Sequence, residues 1–175
     1  MNIIVAVSED WGIGCNGELL FKIKEDMQMF KSTTLNKVVI MGHDTFKSLP
    51  KANRPLKDRT NIVLSRDKTL AITGVQVCNS LEELHELINQ YKKDDIFIIG
   101  GESIYNQLLD SCTVAYVTKI QATSLTDKFF PNLDSNPNWL LVSESETKSQ
   151  NDLAFSFCIY KKSAQGVFAT LDQSI

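Results

Sequence analysis

One acidic side chain, Asp26, lies among apolar residues in the segment LLFKIKEDMQMFK, residues 19–31, where we predict a short helix that starts near Lys22. Because helix positions advance by about 100° per residue, Phe30, Ile23 and Met29 fall within about 60° of Asp26. A carboxylate that faces a core is costly to bury unless a partner pairs with it. Asp26 therefore predicts either a partner within the protein or a ligand that supplies one.

Three predicted strands end in residues suited to phosphate: Gly42, the pair Gly100 and Gly101, and a polar stretch with Arg66 and Lys68. Glycine lets a ligand approach the backbone, and free amides at a helix start attract phosphate. In an open parallel sheet, ligands bind beyond the carboxyl ends of the strands. Together these features predict a dinucleotide. Each glycine alone is equally typical of a tight turn, and the GxGxxG fingerprint is absent.

A long connection, EDWGIGCNGELL (9–20), separates the first predicted strand from the Asp26 helix. It contains three glycines and one tryptophan. Glycine-containing loops beside a site can act as lids, and a packed surface loop fits the same composition. The sequence leaves both interpretations open.

The predicted elements place these features at one edge of a sheet. Apolar, β-branched runs alternate with helical patterns as far as residue 112, and three further strands follow. This order predicts a single α/β domain, with a mostly parallel, twisted sheet of about eight strands, flanking helices and a C-terminal antiparallel hairpin. We predict strands at 2–7, 37–42, 60–65, 74–78, 95–101, 112–120, 138–147 and 153–162, and further helices after Gly42, at 80–91 and at 102–110. The domain spans 1–162, and residues 163–175 form a tail of unknown role.

Composition excludes several classes of protein. The chain has 175 residues, 43% of them hydrophobic, and a net charge of −3 with scattered Lys and Arg, which predicts no nucleic-acid partner. No apolar run reaches membrane-spanning length, and the N-terminus lacks the features of a secretory signal. Four widely spaced cysteines predict reduced thiols in the cytoplasm, and only two histidines make a metal site improbable.

The ordered motifs resemble the dihydrofolate reductase family over nearly the whole chain to about residue 162. They are IVAV, DWGIG, EDMQMFK, KVVIMGHDTFKSL, RPL, NIVLS, IIGGESIY and YVTKI. The resemblance implies the fold of that family and NADPH-dependent reduction of 7,8-dihydrofolate to 5,6,7,8-tetrahydrofolate. It also implies a monomer that binds antifolate-like small molecules.

On this resemblance, Asp26 matches the helix acid that binds the 2-amino group and N3 of the pteridine, and Thr118 matches the threonine that hydrogen-bonds to it. We assign these two residues, with Leu19 and Phe21, to catalysis. Arg59 matches the arginine that pairs with the glutamate α-carboxylate. The implied substrate-binding residues are Ile4, Ala6, Asp26, Met27, Phe30, Leu49, Leu56, Arg59, Ile99 and Thr118.

The resemblance also implies the cofactor site. Gly100 and Gly101 match paired glycines, joined by a cis peptide, that approach the pyrophosphate. Tyr105 matches an aromatic residue near the nicotinamide, and Gly14 lies in the loop that closes over it. The implied cofactor-binding residues are Ala6, Ile13, Gly14, Gly42, His43, Asp44, Thr45, Leu64, Ser65, Arg66, Ile99, Gly100, Gly101, Glu102, Ser103, Ile104 and Tyr105.

Two departures from the family pattern stand out. Many members have Pro-Trp where this chain has Leu20 and Phe21, and phenylalanine has no N–H to order a water near the pterin. His43 stands at the position of the usual arginine for the 2′-phosphate, so we expect Arg66 to substitute for it. The alternatives are a pyrimidine reductase of riboflavin synthesis, which lacks the acid-bearing helix, and a non-catalytic nucleotide-binding module.

Overall fold

The computed structural model describes residues 1–163, in which a twisted central sheet carries four α-helices. The helices are α1 (Lys24–Thr34), α2 (His43–Ser48), α3 (Leu81–Ile88) and α4 (Glu102–Leu108), and short 3₁₀ turns occupy Lys51–Asn53, Lys93–Asp95 and Leu109–Ser111. The strands are β1 (Asn2–Val7), β2 (Gly12–Cys15), β3 (Glu18–Leu19), β4 (Val38–Gly42), β5 (Thr60–Leu64), β6 (Gln76–Cys78), β7 (Ile96–Gly100), β8 (Val114–Ile120), β9 (Lys128–Phe129), β10 (Trp139–Glu144), β11 (Lys148–Gln150) and β12 (Leu153–Lys162). The predicted tail falls almost entirely outside the described residues.

The central sheet confirms the predicted fold class. Its strands follow the order β10-β12-β8-β1-β7-β4-β5-β6, and β11 pairs with β12. From β8 to β6 every pairing is parallel, whereas β12 runs antiparallel to β8 and to β10. The two C-terminal strands thus pair as predicted, with the short β11 in the connection between them. None of the helices in residues 1–163 is long and apolar enough to cross a membrane.

Side chains of β1 alternate between the two faces of the sheet. Ile3, Val5 and Val7 pack into the core beneath α3 and α4, whereas Ile4 packs into a second apolar cluster on the other face. This alternation follows from the two-residue period of a strand. The face that carries Ile4 also holds Phe30, Leu49, Leu56 and Ile99, which are predicted substrate-binding residues.

The helix that carries Asp26, predicted to start near Lys22, begins at Lys24. Leu19 belongs to β3, which pairs with β2 in a hairpin. Asn16 and Gly17, both with positive φ, form the turn of this hairpin. The third strand of the small sheet is β9, more than a hundred residues further along the chain. Local periodicity could not reveal a pairing over that separation.

Ser80 and Glu83 at the start of the helix predicted for 80–91 fit the Ser-x-x-Glu pattern of a capping box, and one half of it is formed. The Glu83 amide donates a 3.1 Å hydrogen bond to Ser80 Oγ, as expected for an N-cap. The Glu83 carboxylate accepts a 2.7 Å bond from the amide of Asn79 instead of that of Ser80. The helix ends at Ile88, three residues before the predicted boundary.

Candidate active site

An acid and a hydroxyl meet between α1 and β8. Asp26 is half-buried on α1, and Thr118 on β8 is fully buried. Burial raises the pKa of Asp26, and the neighbouring Thr118 hydroxyl opposes that rise. Thr118 Oγ1 forms no hydrogen bond of ordinary geometry with any residue in 1–163. Two polar groups therefore face each other with hydrogen-bonding capacity unused, which favours a polar ligand beside them.

The next acid along α1 has a different environment. Lys148 Nζ lies 2.6 Å from Glu25 Oε2, so Glu25 is paired at the surface. Asp26 has no ion pair within the described part of the chain, where the five ion pairs involve other residues. The described residues thus offer Asp26 a hydroxyl and no cation, which favours a ligand with hydrogen-bond donors as its missing partner.

Five of the ten predicted substrate-binding residues share one apolar cluster. One apolar cluster joins strands, helices and loops that are distant in sequence, and it includes Ile4, Phe30, Leu49, Leu56 and Ile99. A neighbouring cluster contains Ala6 and Phe21. Met27 and Leu19 lie outside both clusters and are 47% and 57% exposed. The apolar walls are therefore present, and these two side chains are exposed rather than part of the packed walls.

Arg59 is held firmly against the C-terminal half of α1. Its Nε donates a 2.8 Å hydrogen bond to Thr34 Oγ1, and its terminal nitrogens donate to the carbonyls of Lys57 at 2.9 Å and Lys31 at 3.3 Å. The guanidinium lies 5.8 Å from the centre of the Phe30 ring. Since a guanidinium has five N–H groups, two remain for a ligand. The arrangement fixes a positive charge beside the cleft.

The starts of α2 and α4 lie close together, and the glycine at each start leaves little room for a Cβ. A Cβ at Gly101 would lie 3.0 Å from Thr45 Oγ1, and one at Gly42 would lie 3.1 Å from Ile104 Cγ1. The Gly100–Gly101 peptide is cis. The starts of the two helices thus lie close together, and neither Gly42 nor Gly101 adds a side chain there. This shape and chemistry fit the phosphates of a dinucleotide.

Tyr105 borders the candidate site, and its hydroxyl already donates a hydrogen bond within the protein. It is buried, and its hydroxyl donates a 2.9 Å hydrogen bond to the Ile4 carbonyl. Burial raises the pKa of Tyr105, and the charge of Asp26 raises it further. Gly100 has φ of +112°, and a Cβ there would lie 3.1 Å from the Tyr105 ring. The ring is therefore confined between β1 and the turn after β7.

The region predicted to hold the 2′-phosphate has mixed charge. Asp44 forms a 2.7 Å ion pair with Lys47, and this contact lowers the pKa of Asp44. His43 lies near the carboxylates of both Asp44 and Asp67. Arg66 is exposed and forms no ion pair within residues 1–163. Its guanidinium is consequently available to an anion.

The hairpin of β2 and β3 is attached to β9. The Asn16 amide donates a 3.1 Å hydrogen bond to Asp127 Oδ2, and the Asp127 amide donates to the Gly14 carbonyl at 3.2 Å. The Phe129 amide donates a 2.9 Å bond to Glu102 Oε1 at the start of α4. Through β9, the hairpin is thereby linked to the start of α4, next to Gly100 and Gly101. The sequence did not predict this role for Asp127, because an acid in an exposed polar connection carries no local signal.

Comparison with known proteins agrees with this geometry. Residues 1–162 match the family described as dihydrofolate reductase. A dihydrofolate reductase of Schistosoma mansoni is 36% identical over 180 residues, covering 91% of this chain and 95% of that protein. Dihydrofolate reductases of Buchnera aphidicola and Mus musculus are each 35% identical, covering 93% of this chain and 98% and 97% of their own lengths.

Proposed function

We propose that this chain, which belongs to the dihydrofolate reductase family, uses NADPH to reduce 7,8-dihydrofolate to 5,6,7,8-tetrahydrofolate. As a member of that family it is an oxidoreductase of folate metabolism. The observation that supports the proposal most directly is the half-buried Asp26 beside the unsatisfied Thr118 hydroxyl. The proposal includes a cytoplasmic monomer whose cleft also accepts antifolate-like molecules.

The carboxylate of Asp26 orients the pteridine. Ionised, it accepts hydrogen bonds from the 2-amino group and N3, and on ligand binding the Thr118 hydroxyl donates to the same carboxylate. The negative charge stabilises the protonated pterin and so favours protonation at N5. We infer that no side chain protonates N5 directly, since the Tyr105 hydroxyl donates to the Ile4 carbonyl and Phe21 has no polar hydrogen. Water therefore delivers the proton.

The cofactor site rests on the region between α2 and α4. NADPH, when bound, supplies the hydride that is added to C6 of the substrate. Thr45 and the amides beside Gly42 and Gly101 would hold its phosphates, and Tyr105 would border its nicotinamide. The chain's own contribution is to align two rings face to face and to exclude bulk water.

One assay tests the proposal against both alternatives. Absorbance at 340 nm should fall when the protein, NADPH and dihydrofolate are mixed. A pyrimidine reductase or a binding module would leave the absorbance unchanged under conditions in which a known dihydrofolate reductase consumes NADPH. That result would refute the proposed reaction.

We expect Arg66 to supply much of the preference for NADPH over NADH. Arg66→Ala should raise the KM for NADPH more than tenfold, because a lost charge-assisted contact costs roughly 1.5–3 kcal/mol. The KM for NADH should remain nearly unchanged. Lys93→Ala, an exposed lysine in the turn before β7 and thus at the opposite end of that strand, is the control. Equal losses with both cofactors would mean that Arg66 does not contact the 2′-phosphate.

We also propose that the hairpin within 9–20 is a functional lid. A Cβ at Gly14 would lie 2.9 Å from the Glu18 carbonyl oxygen, so Gly14→Val must displace β2 from β3. We expect turnover to fall by roughly tenfold or more, with a much smaller change in melting temperature. Cys15→Ser in the same strand serves as the control. If Gly14→Val lowers Tm but retains normal activity per folded molecule, the lid hypothesis is wrong.

A further inference from the structure

Trp11 has a backbone conformation that is rare for a large side chain. It lies between β1 and the hairpin, with φ of +63°, and its side chain is buried. Glycine or asparagine adopts the left-handed region far more readily than an aromatic residue. A tryptophan persists there only when its surroundings hold it. Contacts of the indole must therefore compensate for the backbone strain.

Those contacts come from three side chains, two of which are held together by Asp134. The Phe130 ring stacks on it with centroids 6.1 Å apart, and the Tyr160 ring meets it edge-on at 6.2 Å. Lys119 Nζ lies 5.3 Å from the indole centre. Asp134 accepts hydrogen bonds from Lys119 at 2.5 Å and from the Tyr160 hydroxyl at 2.6 Å. We call these five residues, Trp11, Lys119, Phe130, Asp134 and Tyr160, the aromatic clamp.

The aromatic clamp connects to both sides of the candidate site. The Phe130 amide donates a 2.8 Å hydrogen bond to the Trp11 carbonyl, directly after β9. The Phe130 ring also meets the Tyr105 ring edge-to-face, with centroids 4.9 Å apart. Lys119 follows Thr118 in β8 and points to the opposite face of the sheet. The indole thus joins the base of the hairpin to β9 and, through Phe130, to the wall of the cofactor site.

We propose that Trp11 is a positioning residue that keeps the β2–β3 hairpin docked on β9 and so closed over the nicotinamide. The proposal rests on the proposed function only in assigning the nicotinamide to the space beneath the hairpin. Docking itself is a property of the free protein. A direct probe of docking therefore tests the role of Trp11 without any substrate.

Hydrogen exchange followed by mass spectrometry measures that docking. In Trp11→Asn, which tolerates positive φ but lacks the ring, amides in 12–19 and 127–130 should exchange roughly tenfold faster than in the wild type. The central strand 38–42 should exchange at the wild-type rate and serves as the internal reference. Trp11→Phe, which retains an aromatic ring, should restore most of the protection. In steady state, the KM for NADPH should rise in Trp11→Asn, whereas that for dihydrofolate should not.

Two outcomes would overturn the proposal. Faster exchange in all segments alike would make Trp11 a general stability residue, and unchanged exchange in the hairpin would remove it from docking altogether. If Trp11→Asn does not fold, Phe130→Leu removes the ring that stacks on the indole and must show the same selective increase. Failure of the wild type to consume NADPH would refute the proposed reaction but leave the exchange result intact.

Discussion

Asp26→Asn will slow single-turnover hydride transfer by roughly a hundredfold at neutral pH and will regain rate as the pH falls. The substitution keeps the size of the side chain and part of its hydrogen bonding but removes the charge that stabilises a protonated pterin. The dihydropterin must then rely on its own low basicity. Acid supplies substrate that is already protonated, so the variant accelerates, whereas the wild type reaches a plateau once Asp26 is protonated.

The measurement is the rate of hydride transfer against pH for both proteins, with folding checked by circular dichroism. Glu25→Gln is the matched control, since it removes the neighbouring acid of α1, which is paired with Lys148 at the surface. A variant as fast as the wild type at neutral pH would make Asp26 a structural acid. A variant equally slow at every pH would confine Asp26 to substrate binding.

Asp26→Asn, which should slow hydride transfer, should also make the ligand-free protein more stable at neutral pH. Burial raises the pKa of Asp26 in the folded protein above its ordinary value of 3.8, so the folded state binds this proton more tightly than the unfolded state. Stability is therefore lost as the pH rises through the raised folded pKa, and it is restored below 3.8. Without ligand, Asp26→Asn should unfold at higher denaturant concentration than the wild type at pH 7, and this difference should vanish in acid.

The succession of strands and helices along the chain and the unusual position of Asp26 could both be predicted from the sequence. Buried parallel strands such as β4 and β7 are apolar throughout, and a lone acid on an apolar helix face is visible in the helical period. Both signals are local, because they depend only on neighbouring residues. From them we predict a site on α1 and beyond the carboxyl ends of the strands.

Contacts between distant segments could not be predicted in this way. The β2–β9 pairing and the surroundings of Trp11 depend on residues more than a hundred positions apart, and no periodicity records them. Thr118 and Arg59 look ordinary in sequence, and only the family resemblance singled them out. Their significance is tertiary: an unsatisfied buried hydroxyl in one case, and a guanidinium fixed by three hydrogen bonds in the other.

Arg59→Leu will raise the KM for dihydrofolate by roughly a hundredfold or more. Three hydrogen bonds to the protein pre-position the guanidinium, so its two free N–H groups bind a carboxylate with little further loss of entropy. Each charge-assisted bond contributes roughly 1.5–3 kcal/mol, and two of them account for an effect of this size. Burial lowers the pKa of Arg59, so this charge is partly desolvated and is not an ordinary surface charge.

A dihydropterin without the glutamate distinguishes recognition from damage to the cleft. The KM for this truncated substrate should be the same in Arg59→Leu and in the wild type, because it has no carboxylate to lose. Arg54→Leu is the matched control: Arg54 lies close by in sequence and donates a 2.8 Å bond to the Lys47 carbonyl at the surface. Since Arg59 also contacts Thr34 and Lys31, Tm must be measured for each variant. Equal losses with the full and truncated substrates would show that Arg59 supports α1 and does not bind the glutamate carboxylate.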